Sequence, residues 1–428
     1  MLHGGEIYHG QPVLYDFSVN INPLGIPQAV DQALRDSADV LSRYPDRDCS
    51  LLRSELAEFT GVPAEQILCG NGASELIEAA VRALHPQRVL LTAPSFSGYL
   101  HAAEGAGVEV RFHTLRREEN FALTSRYLED LKDLKKPEKP GDPRDGAGPE
   151  IRRTAAEPSC GTGPEIRRTA AEPACGAGPE IRRTAAEPSC GADPESLRVS
   201  ADPEGGTDLA ILCTPANPVG NLIDPALLRE IVETCERQGT WLMVDECFLG
   251  FIEDEESRTM RRLLVPGSVS RRLLVLDAFT KRYAMPGIRL GYLMAADPEI
   301  LKKIQAQQPE WSVSVPAQAV GCAALSSGAD YMEQARTMIR GERKRMSDAL
   351  EAFGFHVFPG EANFIFFSAQ TDLMKSLLAR GILIRNCDNY PGLRQGDYRI
   401  AVLRPDQNDV LLHALQEMVS SGQIYPGH

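Results

Sequence analysis

The sequence predicts an α/β fold: a large domain on a mostly parallel central sheet, then a smaller α+β domain. Three observations carry this. Up to about residue 297, apolar strand-like runs alternate with stretches of helical spacing, as parallel sheets with helical crossovers require. Those runs end in polar residues, and ligands in such sheets bind outside the carboxyl ends of the strands. From about 298 onward, short strands mix with helices instead.

The totals agree with two domains. The chain has 428 residues, 43% hydrophobic and 24% charged. A formal net charge of −14 argues against nucleic acid or an anionic membrane as partner. No apolar run reaches the roughly 20 residues that span a bilayer. The start, Met1-Leu-His-Gly-Gly-Glu6, lacks the basic-then-apolar layout of a signal peptide. The ten cysteines show no metal-ligand spacing, so the expectation is no metal and reduced core thiols in a cytoplasm.

Residues 1–42 are expected to form an N-terminal arm and a helix that joins the small domain. Asp16 to Gly25 alternates polar and apolar residues, then breaks at Pro23 and Gly25. Val30, Ala33, Leu34, Ala38 and Leu41 keep helical spacing. The large domain is expected over 43–136 and 206–297. A helix bearing Leu52 and Leu56 ends at Gly61, and Ile67–Gly70 leads through Asn71 and Gly72 into another helix. The first amides of a helix have no internal partner and point at any anion there, which marks Ala73 and Ser74. A helix capped by Ser74 or Asn71 explains the same residues nearly as well. Val89–Ala93 reads as a buried strand, followed by Phe96 and Tyr99. Either ring can stack on a flat ligand, although core packing is the commoner fate of such residues.

Residues 137–205 interrupt the pattern. A 15-residue unit stands there in three tandem copies, 148–162, 163–177 and 178–192. With one large aliphatic residue per copy, the segment cannot offset its chain entropy by burial, and a disordered insertion is expected. Loop-closure cost grows only logarithmically with length, so the surrounding fold tolerates it.

The pattern resumes at Asp208. A strand over 209–213 runs into a turn where Pro218 holds Asn217 as a hydrogen-bond donor. A strand from Thr240 ends in Asp245 and Glu246. A third strand, 271–277, leads to Ala278, Thr280 and Lys281, and a fourth is expected over 289–296. Asn217, Asp245 and Lys281 therefore fall at strand ends and can converge. In the small domain, 298–428, a long helical region covers about 316–352. Short strands Phe355–Phe358, Asn363–Phe367, Ile382–Arg385 and Asp397–Val402 alternate there with helices Leu373–Ala379 and Asp409–Val419. Arg385 and Arg399 sit at or near strand ends.

A lysine after a buried strand is a candidate nucleophile toward a carbonyl, because desolvation and nearby cations favour the neutral amine. An arginine close by can hold phosphate with its planar fork. Taken alone, Lys281 and Arg289 read as two surface cations flanking a strand end. The other parts of a pyridoxal 5′-phosphate (PLP) site change that. Asp245 can face a pyridine nitrogen and keep it protonated. Asn217 can bond the ring hydroxyl oxygen, and Phe96 can cover the ring. The amides of Ala73 and Ser74, with Thr280 and Arg289, can hold the phosphate.

In this order, Gly70-Asn-Gly-Ala-Ser-Glu75, Asn217-Pro-Val-Gly220, Asp245-Glu246, Thr280-Lys281 and Gly287-Ile-Arg-Leu-Gly291 resemble the fold-type I PLP-dependent transferases. The likeness is to the histidinol-phosphate aminotransferase branch, over nearly all of the chain except 137–205. Within it, His3-Gly-Gly5, Asp16–Gly25, Arg43-Tyr-Pro-Asp46, Pro309–Val313, Ile384–Cys387 and Asn389–Leu393 are similar to the threonine-phosphate decarboxylases of cobalamin biosynthesis. The resemblance implies decarboxylation of a small phosphorylated amino acid, L-threonine O-3-phosphate, with transamination of histidinol phosphate as the alternative. A non-catalytic scaffold that kept the fold is a reading of another class. The resemblance also implies that His3, Gly4 and Asn20 contact the substrate, as does Asn217. Arg385 and Arg399 would bind its two anionic ends. Tyr44 would reach the cofactor phosphate of a neighbouring subunit, which implies a homodimer. One residue departs from the pattern. Ala278 stands where the family usually carries a hydroxyl, at a cost of about 1–3 kcal/mol for one lost phosphate hydrogen bond. Phe248 stands where many aminotransferases carry a tyrosine.

Overall fold

The computed structural model describes residue 5 and residues 12–134, 208–264, 270–369 and 372–424. His3, Gly4 and the insertion expected over 137–205 lie outside the described residues. In chain order the strands are β1 (Tyr15–Asp16), β2 (Ile67–Gly70), β3 (Arg88–Ala93), β4 (Glu109–Thr114), β5 (Leu209–Cys213), β6 (Trp241–Asp245) and β7 (Leu273–Ala278). They continue with β8 (Gly291–Ala295), β9 (His356–Val357), β10 (Phe364–Ser368), β11 (Ile382–Leu383), β12 (Arg385–Asn386) and β13 (Asp397–Ala401).

A seven-stranded sheet in the order β2-β8-β7-β6-β5-β3-β4 forms the centre. From β4 through β7 every neighbouring pair is parallel, and β8 runs antiparallel to both β7 and β2. Helices cover both faces, so β5, β6 and β7 are buried at every position. Successive side chains point to opposite faces: Leu242 and Val244 enter one core, while Met243 enters the other. The crossover from β5 to β6 is the helix Pro225–Gln238. It is capped by Asp224, whose side chain accepts from Ala226 and Leu227, and it ends at Gly239 with φ 70°.

The small sheet, β12-β13-β10-β9, is antiparallel and packs on the helices Gly328–Ala352 and Pro405–Ser420. β1 pairs in parallel with β11, so the arm is stitched to this second unit. The next helix, Gln28–Asp36, behaves differently. Its Val30 shares a core with Leu52, Leu90 and Val320, under the large sheet.

Several expected elements are redrawn. The helical region expected over 316–352 is two helices, Val315–Leu325 and Gly328–Ala352, parted where Gly328 takes φ +79°. The strand expected over Ile382–Arg385 is two, because β11 turns to β1 while β12 pairs with β13. The strand expected from 289 begins at Gly291, since Arg289 takes a left-handed φ of 59°. The helix expected from Asp409 starts earlier, at Pro405, where a proline suits the first helical position. The described cysteines are all unpaired. Among the described residues no helix is long and apolar enough to cross a membrane.

Candidate active site

A cavity of about 230 Å³ opens at the carboxyl ends of β5, β6 and β7. Its wall gathers Asn20, Ala73, Ser74, Phe96, Asn217, Asp245, Thr280, Lys281, Arg289, Arg385 and Arg399. Register explains the convergence at the sheet edge: Cys213 pairs with Asp245, and Asp245 with Leu276, so β5 and β6 end level and β7 runs two residues beyond them to Ala278.

Lys281 sits in the single helical turn Phe279–Arg282 directly after β7. Its carbonyl accepts from the Asn22 amide at 3.1 Å, which fixes the turn. Its amine lies 5.8 Å from the centre of the Phe248 ring. Burial foremost, then the guanidiniums of Arg399 and Arg289, push this amine down to about 8. The neighbouring Arg282 points away from the cavity. It donates to Glu255 at 2.6 and 3.1 Å and to Asp277 at 3.3 Å. Burial alone would raise the Glu255 carboxyl, but Arg282, Arg261 and Arg336 hold it down at about 2. One turn thus sends one cation to the cavity and the next into a fully paired ionic cluster.

Of the two carboxylates that close β6, only Asp245 faces the cavity. Its oxygens accept from the Tyr99 hydroxyl at 2.6 Å and the Cys247 amide at 2.9 Å. Glu246 turns the other way, bonded by Thr259 and the Met260 amide, and burial pushes its carboxyl up to about 8.

The helix Ala73–Leu84 starts without a side-chain cap, so the capped reading of Ser74 or Asn71 does not hold. Asn71 instead donates its amide to Glu75 at 3.2 Å. Gly72, at φ +82°, precedes the helix, and a Cβ there would come within 2.6 Å of Arg289 Nη2. The glycine therefore leaves room for a guanidinium beside open helical amides, a cradle for an anion. Gly98 acts similarly for Phe96, since a Cβ on it would fall 2.3 Å from that ring.

On the opposite wall, Arg385 and Arg399 are direct cross-strand partners of β12 and β13, 3% and 6% exposed. Arg399 donates to the Ser18 carbonyl at 2.9 Å and to Asn217 Oδ1. With its amide oxygen turned inward, Asn20 accepts from Arg399 at 3.1 and 3.2 Å. All these partners are neutral. Arg385 bonds Asn389 at 2.9 Å and lies 5.1 Å over Tyr390. Like charges directly opposite each other in a sheet repel, and an anion between them would relieve this. Asn217 accepts through its oxygen, which leaves its NH₂ as the donor expected from sequence.

Tyr44 stands apart, 80% exposed and 4.8 Å from Trp311 ring to ring. Sequence reasoning missed the Tyr99 hydroxyl, the Ser18 carbonyl and the ionic cluster under Lys281. Spacing marks an aromatic or a serine but not which distant carboxylate or arginine it meets.

The assembled groups fit PLP. The uncapped helix and Arg289 suit its phosphate, Asp245 its ring nitrogen, Lys281 its carbonyl carbon and Phe96 its face. The family model for aminotransferase class I and II matches residues 12–142 and 174–415. The chain is 31% identical to the threonine-phosphate decarboxylase of Salmonella typhimurium, over 98% of this chain and 96% of that one. It is 29% identical to a histidinol-phosphate aminotransferase of Desulfitobacterium hafniense, covering 94% and 90%. Its fold matches the crystal structure of the histidinol-phosphate aminotransferase from Clostridium acetobutylicum with a TM-score of 0.72 at 25% identity, over 95% of this chain and all of that one.

Proposed function

Because the chain belongs to the class I and II aminotransferases, PLP-dependent enzymes of the fold-type I architecture, we propose that it decarboxylates L-threonine O-3-phosphate. The products are CO₂ and (R)-1-aminopropan-2-yl phosphate, for cobalamin biosynthesis. The observation that carries this reading is the buried cross-strand pair of Arg385 and Arg399 on the cavity wall. A phosphate and a carboxylate on one small substrate would suit two guanidiniums side by side.

When bound, the cofactor supplies the electron sink that takes up the charge left at Cα as a bond to that carbon breaks. Asp245, braced by Tyr99 and the Cys247 amide, keeps the ring nitrogen protonated. Arg385 and Arg399 would hold the substrate's two anionic ends and so fix how its carboxylate is presented to the cofactor. The Cα–carboxylate bond then breaks and CO₂ leaves. Lys281 delivers a proton to Cα, and its depressed basicity suits that transfer near neutral pH. His3, Gly4 and Asn20 would close the substrate side. Exposed Tyr44 fits a homodimer contact, reaching the cofactor phosphate of a second cytoplasmic subunit.

The test is an assay of the PLP-loaded protein with L-threonine O-3-phosphate. CO₂ release in step with amine product is expected. Amino transfer from histidinol phosphate to 2-oxoglutarate, without CO₂, would replace this reading with the aminotransferase one.

A further inference from the structure

Arg117 lies far from the cofactor groups in sequence and takes no part in the chemistry above. It opens a short helical turn, Arg117–Glu119, just after β4 of the large sheet. Its guanidinium crosses to the small sheet. There it donates to Asp397 Oδ2 and, at 3.1 Å, to Ser368 Oγ. It is held between two rings, 5.2 Å from the centre of Phe121 and 5.1 Å from that of Phe358. Asp397 has no solvent exposure, and its other contacts are the Ser368 hydroxyl at 2.6 Å and the Arg394 amide at 3.0 Å. Around this bond lies a separate apolar cluster that joins the two units: Leu115, Phe121 and Val219 from one, and Phe358, Phe366 and Tyr390 from the other.

Asp397 is the first residue of β13, and Arg399 follows two positions later on the same face of that strand. Arg385 pairs across from Arg399 and rests on Tyr390, a member of the joining cluster. We propose that Arg117 is a positioning residue: by anchoring Asp397 it holds β13, and through it Arg399 and Arg385, at the distance from Lys281 that a doubly anionic substrate requires. This deepens the function proposed above and rests on it. A buried carboxylate has few ways to find a substitute partner, so loss of the guanidinium leaves an uncompensated charge at the head of β13, and the strand end shifts to relieve it. A displacement of about 1 Å in a binding group is enough to cost up to a hundredfold in turnover efficiency.

The test compares the PLP-loaded wild type with Arg117→Ala and Arg117→Lys. Binding of L-threonine O-3-phosphate, and of histidinol phosphate, is read from the change in cofactor absorption. KM and kcat are read separately. For Arg117→Ala the dissociation constant and KM for the doubly anionic substrate are expected to rise about tenfold or more, with kcat changed less. Cofactor affinity and the resting absorption spectrum stay as in the wild type. Arg117→Lys, which keeps the charge but not the fork, is expected to recover part of the loss. Unchanged substrate affinity in Arg117→Ala overturns the proposal. So does an equal fall in cofactor affinity, melting temperature and kcat, which marks a purely structural role. If Arg117→Ala does not fold, Arg117→Lys decides: weaker substrate binding with intact cofactor binding supports the proposal, and wild-type affinity overturns it. If the wild type binds neither phosphorylated compound, it is the proposed function that fails.

Discussion

Lys281 and Arg282 are adjacent cations with opposite surroundings, and that contrast sets how the site should respond to pH. Arg282 is tied to Glu255 and Asp277, whereas the amine of Lys281 faces the cavity with Arg399 and Arg289 nearby. The neutral amine is the form that attacks a carbonyl, and it forms as pH rises through about 8 rather than through the ordinary lysine range. Capture of PLP by the cofactor-free protein is therefore expected to speed up between pH 7 and 9 and then level off, in stopped-flow absorption. A rate still climbing steeply above pH 10 would mean that the amine keeps its usual basicity. Lys281, Asp245 and Asn217 were legible because each ends an apolar run, and such runs order themselves into a sheet edge. The Tyr99 hydroxyl was not, since its partner Asp245 lies 146 positions away and nothing local to Tyr99 names it.

The helix Ala73–Leu84 shows how an element's end becomes a binding device. Its counterpart Pro225–Gln238 spends an aspartate on the first amides, while here a glycine stands in that place and the amides stay open. Gly72→Ala would force a Cβ into the space of Arg289 and onto a backbone with φ +82°. About 1–3 kcal/mol of strain is expected, with PLP affinity lowered roughly five- to a hundredfold in a cofactor titration. Gly61→Ala is the control. Its φ is +71° but its surroundings are open, so about 1 kcal/mol of stability and no cofactor affinity should be lost. Glycines flanking a strand and a helix were readable as a turn. The antiparallel direction of β8 was not, because buried parallel and antiparallel strands carry the same apolar run.

Across the whole molecule, the described strands and helices assemble both sheets and the cavity from residues on either side of the repeats. Deleting 148–192 in frame is expected to leave kcat and KM within about twofold, because loop closure depends only weakly on length. A tenfold loss of turnover would give the repeats a direct part in activity. The alternation of strand and helix predicted the layered architecture, whereas the meeting of the two units did not show in sequence. Nothing in the sequence links Arg117, Phe121 and Phe358 to Asp397, and only the fold brings them together.

The arm crosses between those units with almost no slack. Phe17 bonds Leu383 and Ala401, Ser18 holds Arg399, and the Ile21 carbonyl accepts from Asn363, all on the small-sheet side. The very next residue, Asn22, bonds the carbonyls of Lys281 and Arg282 on the other. Allegiance changes across a single peptide unit, whose α-carbons are about 3.8 Å apart. Any rocking of one half against the other must be taken up at that link, so Asn20 rides with Arg399 and measures the gap to Lys281 like the tip of a caliper.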